Sequence, residues 1–284
     1  MFSPSQMEQY RREGYAVYHD FLSPAEAAAL RAELDAIAAG NTLASHDKTR
    51  MEMEPDQPPE GRLIRRLYEP CTHYPSFRAL SDSAKLLDCV AQLLGPDLVF
   101  HYSKINMKPP HIGSVVEWHQ DWSYYPLTNR DSVSILFYLD DAAVKNGCLQ
   151  VIPRRHLGPL MDHTSGGFFR GRITAEVDES QALPLEGKAG SVIFMHCMTP
   201  HASVTNTSAQ PRRTLILSYR AADAFPIYCG VMSTSADPHL RLVRGRWATA
   251  ARVTETTIPV PRYETKIASL YELQAQARAA EQQA

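Results

Sequence analysis

The chain lacks the features that mark several common classes of protein. Its 29 Lys and Arg against 31 Asp and Glu leave a formal charge of −2, and no basic stripe alternates with aromatics, which argues against a nucleic-acid partner. No stretch approaches the ~20 apolar residues that a membrane-spanning helix needs, so no membrane association is expected. The opening Met1-Phe2-Ser3-Pro4-Ser5 lacks a basic region followed by an apolar run, and a cytoplasmic location is expected. Cys71, Cys89, Cys148, Cys197 and Cys229 are an odd number without a Cys-x-x-Cys pair. That disfavours a disulfide scaffold and a zinc ribbon, and fits a reducing compartment. Repeats and low-complexity tracts are missing too. A soluble small-molecule enzyme fits these bounds, and 284 residues could make one large domain or two, a size that a single β-rich core with helical decoration commonly reaches.

Helix signals dominate the first third. Ser3-Pro4-Ser5-Gln6 offers an N-cap, a proline at the first helical position and a glutamine at the third, which predicts a helix to about Glu13. Ser23-Pro24-Ala25-Glu26 repeats the device ahead of Leu30, Leu34 and Ile37, whose spacing makes one apolar face that Gly40 would end. Ala84 to Leu94 reads as a further helix, and Tyr15 to Tyr18 as a short strand. From Leu98 onward strand signals take over at Leu98–Met107, Val115–Trp118, Val133–Leu139, Cys148–Ile152, Ser191–Met195 and Thr214–Tyr219. Short strands punctuated by Gly, Pro, Asn and Asp imply a mainly β fold with flanking helices, a double-sheet jelly roll. The expected layout is a single domain over 1–284, with a mainly helical flank at 1–95, the jelly-roll core at 96–222 and a C-terminal extension at 223–284. In that extension Lys266 to Ala284 reads as a helix packed by its first half, through Ile267, Leu270 and Leu273. Two segments of little periodicity, Asn41 to Arg62 and Leu160 to Gly190, are candidates either for lids or for plain surface insertions.

The chemistry is concentrated in His119-Gln120-Asp121, with His201 eighty residues after Asp121 and Arg212 eleven residues further on. Two imidazoles and a carboxylate can hold a divalent iron on one face and leave the opposite positions open. About one His-x-Asp pair is expected by chance in such a composition, so the surroundings decide its meaning. In an extended segment His119 and Asp121 point to the same side and Gln120 to the other. His196 is the rival third ligand, but no arginine follows it at eleven residues, where Thr207 stands. His101, His111, His156 and His163 read as packing or surface residues.

The chain resembles the phytanoyl-CoA dioxygenase family of Fe(II)- and 2-oxoglutarate-dependent oxygenases, which includes the ectoine hydroxylases. The resemblance is carried by Trp118-His119-Gln120-Asp121, by Asn146-Gly147-Cys148-Leu149-Gln150-Val151-Ile152-Pro153 with His156, by Gly190-Ser191-Val192-Ile193-Phe194, and by His201, Ser203, Asn206 and Arg212. It implies the family's double-stranded β-helix, a cupin-like jelly roll, with Fe(II) as cofactor and 2-oxoglutarate and O2 as cosubstrates. His119, Asp121 and His201 align with the iron ligands, and Arg212 with the arginine that grips the distal carboxylate of 2-oxoglutarate, a task suited to a planar guanidinium fork. Ser203, Asn106 and Ser134 match further cosubstrate contacts. On the substrate side the resemblance points to Lys104, Tyr102, Trp122 and Tyr125; by their residue types alone the last two could line a pocket or simply fill the core, and the resemblance favours lining it. Lys104 raises an anionic or carbonyl-bearing substrate. Where the family often has Pro-Gly-Ser-His this chain has Pro153-Arg154-Arg155-His156, either a surface salt-bridge site or a positive charge near substrate. Asp121 argues against halogenation, which needs a small residue there.

The implied reaction is oxidation, by default hydroxylation, of a small organic molecule such as a secondary metabolite, coupled to conversion of 2-oxoglutarate to succinate and CO2. The alternatives are a cupin-like metal-dependent hydrolase or isomerase and a non-catalytic small-molecule-binding protein. The first has no reason to keep Arg212 and Ser203 beside the distal histidine, and the second would be expected to lose ligands. A monomer or a homodimer is expected.

Overall fold

The computed structural model describes residues 1–113, 115–227, 237–263 and 270–282. Its helices are α1 (Pro4–Glu13), α2 (Pro24–Ala39), α3 (Pro70–His73), α4 (Pro75–Ser81), α5 (Ala84–Leu94) and α6 (Leu270–Gln282). Its strands begin with β1 (Tyr15–Tyr18), β2 (Met51–Met53), β3 (Ile64–Tyr68), β4 (Leu98–Lys108), β5 (Val116–His119), β6 (Ser132–Tyr138) and β7 (Leu149–Val151). They continue with β8 (Thr164–Ser165), β9 (Phe168–Phe169), β10 (Leu183–Leu185), β11 (Val192–His196), β12 (His201–Ser203), β13 (Arg212–Ala221) and β14 (Arg241–Arg244). A main sheet runs β1-β11-β6-β13-β4-β3-β2, with β14 pairing the other end of β4, and a four-stranded sheet runs β10-β7-β12-β5.

The alternation of side chains decides which face of the main sheet does what. On β6, Val133, Ile135 and Phe137 join Leu215, Leu217 and Tyr219 of β13 and Val192 and Phe194 of β11 in one buried cluster with Leu30, Leu34, Leu86 and Val90 of α2 and α5. The opposite, concave face is more polar. There the register sets Asn106, Thr214 and Tyr138 side by side, then Lys104, Ile216 and Leu136, then Tyr102, Ser218 and Ser134. Leu149, Val151 and Leu185 of the four-stranded sheet pack onto this face through Leu136, Tyr138, Ile193 and Met195, closing the jelly roll.

Both N-terminal capping boxes form. Ser3 caps Gln6 and Ser23 caps Glu26, each with the reciprocal bond back to the cap backbone, and Pro4 and Pro24 open the helices. The segment Asn41 to Arg62, expected as an irregular loop, contributes the edge strand β2. Met51 and Met53 are buried there while Glu52 between them pairs opposite Arg66, a strand too short for its alternation to stand out. Leu160 to Gly190 carries the β8-β9 hairpin and β10. The C-terminal helix is described from Leu270, and Tyr271, Leu273 and Gln274 are buried; Lys266 and Ile267 lie outside the described residues, as does Cys229. The other four cysteines are free and buried. No helix among the described residues is long and apolar enough to cross a membrane.

Candidate active site

His119 and His201 are direct cross-strand partners at the end of β5 and the start of β12. Their rings stand 4.0 Å apart between centroids. β5 stops at His119, Gln120 stays extended, and a turn of 3-10 helix begins at Asp121, so the carboxylate still returns to the histidine side. Asp121 Oδ1 lies 3.8 Å from Nε2 of each histidine, and one ligand atom from each of the three residues falls within 4.8 Å of the others. This is a buried set that can hold a metal ion. The imidazoles are turned for it, since Nδ1 of His119 lies 2.7 Å from the Glu117 carbonyl and Nδ1 of His201 3.0 Å from the Thr199 carbonyl. With Nδ1–H donating, each Nε2 keeps its lone pair. Burial lowers the pKa of both histidines. Burial opposes the Asp121 charge, but the two imidazoles, Lys104 and the Ser134 hydroxyl outweigh it and hold the carboxylate below its ordinary range.

Ser134 Oγ donates to Asp121 Oδ2 at 2.5 Å, so this residue, expected as a cosubstrate contact, orients a carboxylate of the triad. Gln120 points away as expected, into a buried post: its amide donates to the Met198 carbonyl at 2.7 Å and accepts from Met161 N at 2.8 Å. The sequence flagged this residue only as the one facing away.

A cavity of about 540 Å³ of non-atom space, part of it open to solvent, joins the triad to Lys104, Asn106, Ser134, Ser203 and Arg212. Arg212 is 5% exposed. Its Nη1 donates to Thr214 Oγ1 at 2.9 Å and its Nη2 to the Gly147 carbonyl at 2.6 Å, while its Nε is buried without a partner. No carboxylate pairs with it among the described residues. A buried guanidinium with an idle donor on the triad's cavity suits an incoming carboxylate. Gly147 earns its place in the Asn146–Pro153 motif twice: its φ is +76°, and a Cβ there would lie 2.3 Å from the Val204 carbonyl. Asn206 pins the approach to β13, its amide donating to the carbonyls of Lys108, Pro109 and Gln210.

Lys104 is half-buried on the cavity wall. Its Nζ stands 5.2 Å from the Tyr102 ring centre and has no hydrogen-bonded or ion-paired partner among the described residues. Burial draws its pKa down to about 8, Asp121 partly offsetting the shift. Asn106 accepts at Oδ1 from Nε of Arg66 at 2.9 Å. Arg66, on β3, is a buried cation that sequence reasoning missed because its strand lies next to a segment read as loop. It stacks on Tyr271 of α6 at 4.7 Å.

Trp122 does not reach this cavity. The turn at Asp121 rotates it outward, to pack with Cys197 and Met198 beside a separate cleft that includes Leu160 and His163. Tyr125 is one layer removed, with its hydroxyl 3.3 Å from that of Tyr102. The rival ligand His196 is turned away, its Nδ1 accepting from Met198 N at 3.1 Å. Arg154 makes a surface ion pair with Glu13 at 3.0 Å, the salt-bridge alternative for the Arg154-Arg155 departure. The Leu160–Gly190 segment packs against the site's flank: Phe169 meets the Tyr124 ring edge-on at 5.0 Å, and the Gly171 carbonyl accepts from Tyr124 Oη and from Gln274 of α6.

The phytanoyl-CoA dioxygenase (PhyH) family profile matches residues 10–214. A Stutzerimonas stutzeri protein named "Probable alpha-ketoglutarate-dependent hypophosphite dioxygenase" is 33% identical over 269 residues, 92% of each chain; alpha-ketoglutarate is 2-oxoglutarate. A methylphosphonate hydroxylase of Gimesia maris is 30% identical over 217 residues, covering 76% of this chain and 80% of its own. Among solved structures, EctD from S. alaskensis with 2-oxoglutarate and 5-hydroxyectoine superposes with a TM-score of 0.67 at 25% identity, covering 89% of this chain and 87% of that one. The fold is accordingly the double-stranded β-helix, Fe(II) is the cofactor, and 2-oxoglutarate and O2 are the cosubstrates of an oxidation of a small molecule. The chain belongs to the phytanoyl-CoA dioxygenase family of iron(II)- and 2-oxoglutarate-dependent dioxygenases.

Proposed function

We propose that this dioxygenase hydroxylates a compact oxyanion of the hypophosphite or phosphonate kind. The observation that carries the reading is Lys104, an ammonium on the triad's cavity with no acid partner among the described residues. The cavity is small, and Arg66 adds a second cation behind Asn106. Against these charges the cavity wall offers one carboxylate, Asp121. The names of two relatives, a hypophosphite dioxygenase and a methylphosphonate hydroxylase, point the same way. A secondary metabolite without an acidic group would leave Lys104 unpaired.

In this reading His119, Asp121 and His201 hold iron(II) through Nε2, a carboxylate oxygen and Nε2. Arg212 grips the distal carboxylate of 2-oxoglutarate, with Ser203 and Asn106 beside it, and Ser134 fixes the Asp121 carboxylate so that its ligand oxygen faces the histidines. When bound, the iron supplies oxidation by O2, in which 2-oxoglutarate and the substrate yield succinate, CO2 and the hydroxylated product. Lys104 anchors the substrate's charged oxygens, with the Tyr102 ring beside its Nζ. We further propose that residues 1–284 form one catalytic domain, working in the cytoplasm as a monomer or homodimer without nucleic-acid or membrane partners.

The test is succinate release by the iron-loaded protein with hypophosphite, methylphosphonate and ectoine offered separately. A phosphorus oxyanion should accelerate succinate formation well above the substrate-free rate and ectoine should not. Turnover driven by ectoine but by neither oxyanion would sink the substrate assignment while leaving the reaction class intact.

A further inference from the structure

Arg212 is not the last buried arginine on the concave face. Alternation along β13 continues through Thr214, Ile216 and Ser218 to Arg220, which lies opposite Ser132 on β6 and Val99 on β4. Arg220 is 2% exposed. Its Nη1 donates to the Ala224 carbonyl at 2.7 Å, its Nε has no partner, and no Asp or Glu among the described residues pairs with it. Burial alone draws its pKa down to about 10, which leaves it charged at neutral pH.

Two neighbours are orphaned in the same way. Ser218 Oγ and His101 Nδ1 are both buried without a hydrogen bond. Ser218 lies in register between Ser134, which donates to Asp121, and Tyr102. Arg220 follows two residues on, about 7 Å along the strand. His101 is the extra residue where β4 bulges against Ser218 and Tyr219, and its ring centre is 4.9 Å from that of Tyr125, whose hydroxyl reaches Tyr102. Polar side chains therefore follow one another in register from Ser134, on the triad, to Arg220.

An ionised guanidinium withdrawn from water without a counter-charge is among the least favourable burials a fold can make. Buried polar atoms without partners call for an explanation, such as a bound ion or water, and three of them lie together here. We propose that Arg220, Ser218 and His101 form a second oxyanion subsite past the substrate side of the cavity, toward the far end of β13, taking either a second acidic group of the substrate or a free oxyanion. The guanidinium supplies the charge and a planar fork. Ser218 donates one hydroxyl, and His101 presents a ring nitrogen that donates in the tautomer protonated at Nδ1. The subsite rests on the iron and 2-oxoglutarate reading only for its neighbourhood.

The experiment is thermal unfolding of the full chain loaded with Mn(II) and saturating 2-oxoglutarate, which occupies Arg212, titrated with sulfate and with phosphonoacetate. Wild type should gain about 3 °C at a tenfold excess over Kd, and Arg220→Met should gain less, keeping at most the part that binding at Lys104 supplies. A sulfate shift that survives in Lys104→Met identifies a free oxyanion. A phosphonoacetate shift lost in both Lys104→Met and Arg220→Met identifies a substrate with two acidic groups. Equal shifts in wild type and Arg220→Met, or none in either, overturn the proposal, because the orphaned atoms then bind only water. Should Arg220→Met fail to fold, Ser218→Ala is read instead: a weakened shift supports the subsite and an unchanged one overturns it. Neither arm reads turnover, so rejection of every phosphorus oxyanion as substrate would leave the result interpretable.

Discussion

Arg212 and Arg220 begin and nearly end the same strand, eight residues and roughly 26 Å apart, on the same face of the same sheet. Each is buried, each spends nitrogens on a backbone carbonyl or hydroxyl, each keeps an idle Nε, and neither meets a carboxylate among the described residues. One lies on the triad's cavity, in the position where the family grips 2-oxoglutarate. The other lies past the substrate side, and the resemblance says nothing about it. The pair teaches that a buried cation without an acid partner among the described residues points to an anion as its ligand.

Removing the centre that both ends serve should have the largest effect. Asp121→Ala or His201→Ala should reduce succinate formation on the order of 10³-fold or more, with a matching loss of iron measured in the dialysed protein. A variant with full iron content and turnover would remove the triad from the mechanism. The comparison sharpens at Arg212: Arg212→Ala should raise the KM for 2-oxoglutarate about 100-fold while kcat at saturation changes far less. Arg220→Met should leave that KM alone, and a rise there would mean that the two ends of the strand are not separate sites. Between them, Lys104→Met should raise the KM for the oxidised substrate about tenfold without moving the KM for 2-oxoglutarate. The opposite split would reassign Lys104 to the cosubstrate.

The smallest expected effect concerns the back of β4. Glu69 accepts from the backbone and hydroxyl of Ser103, between Tyr102 and Lys104 in sequence. Burial raises its pKa to about 7, against the hydrogen bonds from Ser103 that favour its charge. A carboxyl raised in the folded state contributes stability below its unfolded pKa near 4.5 and loses it as pH climbs through 7. Glu69→Gln should therefore gain on wild type in Tm between pH 5 and 8, and a constant difference across that range would show the shift to be absent.

Much of this arrangement was legible in the sequence, for a physical reason. His119, Asp121, His201, Ser203 and Arg212 lie in or directly against strands, where a period of two carries a residue from pattern to face without ambiguity. Trp122 was harder, because the strand rule lapses where the 3-10 turn starts at Asp121. Arg66 was out of reach while its partner strand read as loop, and its role exists only through Asn106 and Tyr271, 40 residues upstream of one in the chain and brought to the other by the C-terminal helix. Arg220 looked like any polar residue in a strand. Nothing in a one-dimensional pattern tells a paired arginine from an unpaired one.

The cross-strand pairing of His119 with His201 makes the metal centre a gauge of strand register. Slipping β12 by one residue against β5 would bring Ala202 opposite His119 and turn His201 to the outer surface, so a misaligned four-stranded sheet has no triad to offer. With these residues as its proposed ligands, iron would bind only molecules whose smaller sheet has zipped up correctly. Its binding energy becomes folding energy for that sheet alone, selecting one alignment among neighbours that the three-residue strand β12 could otherwise sample.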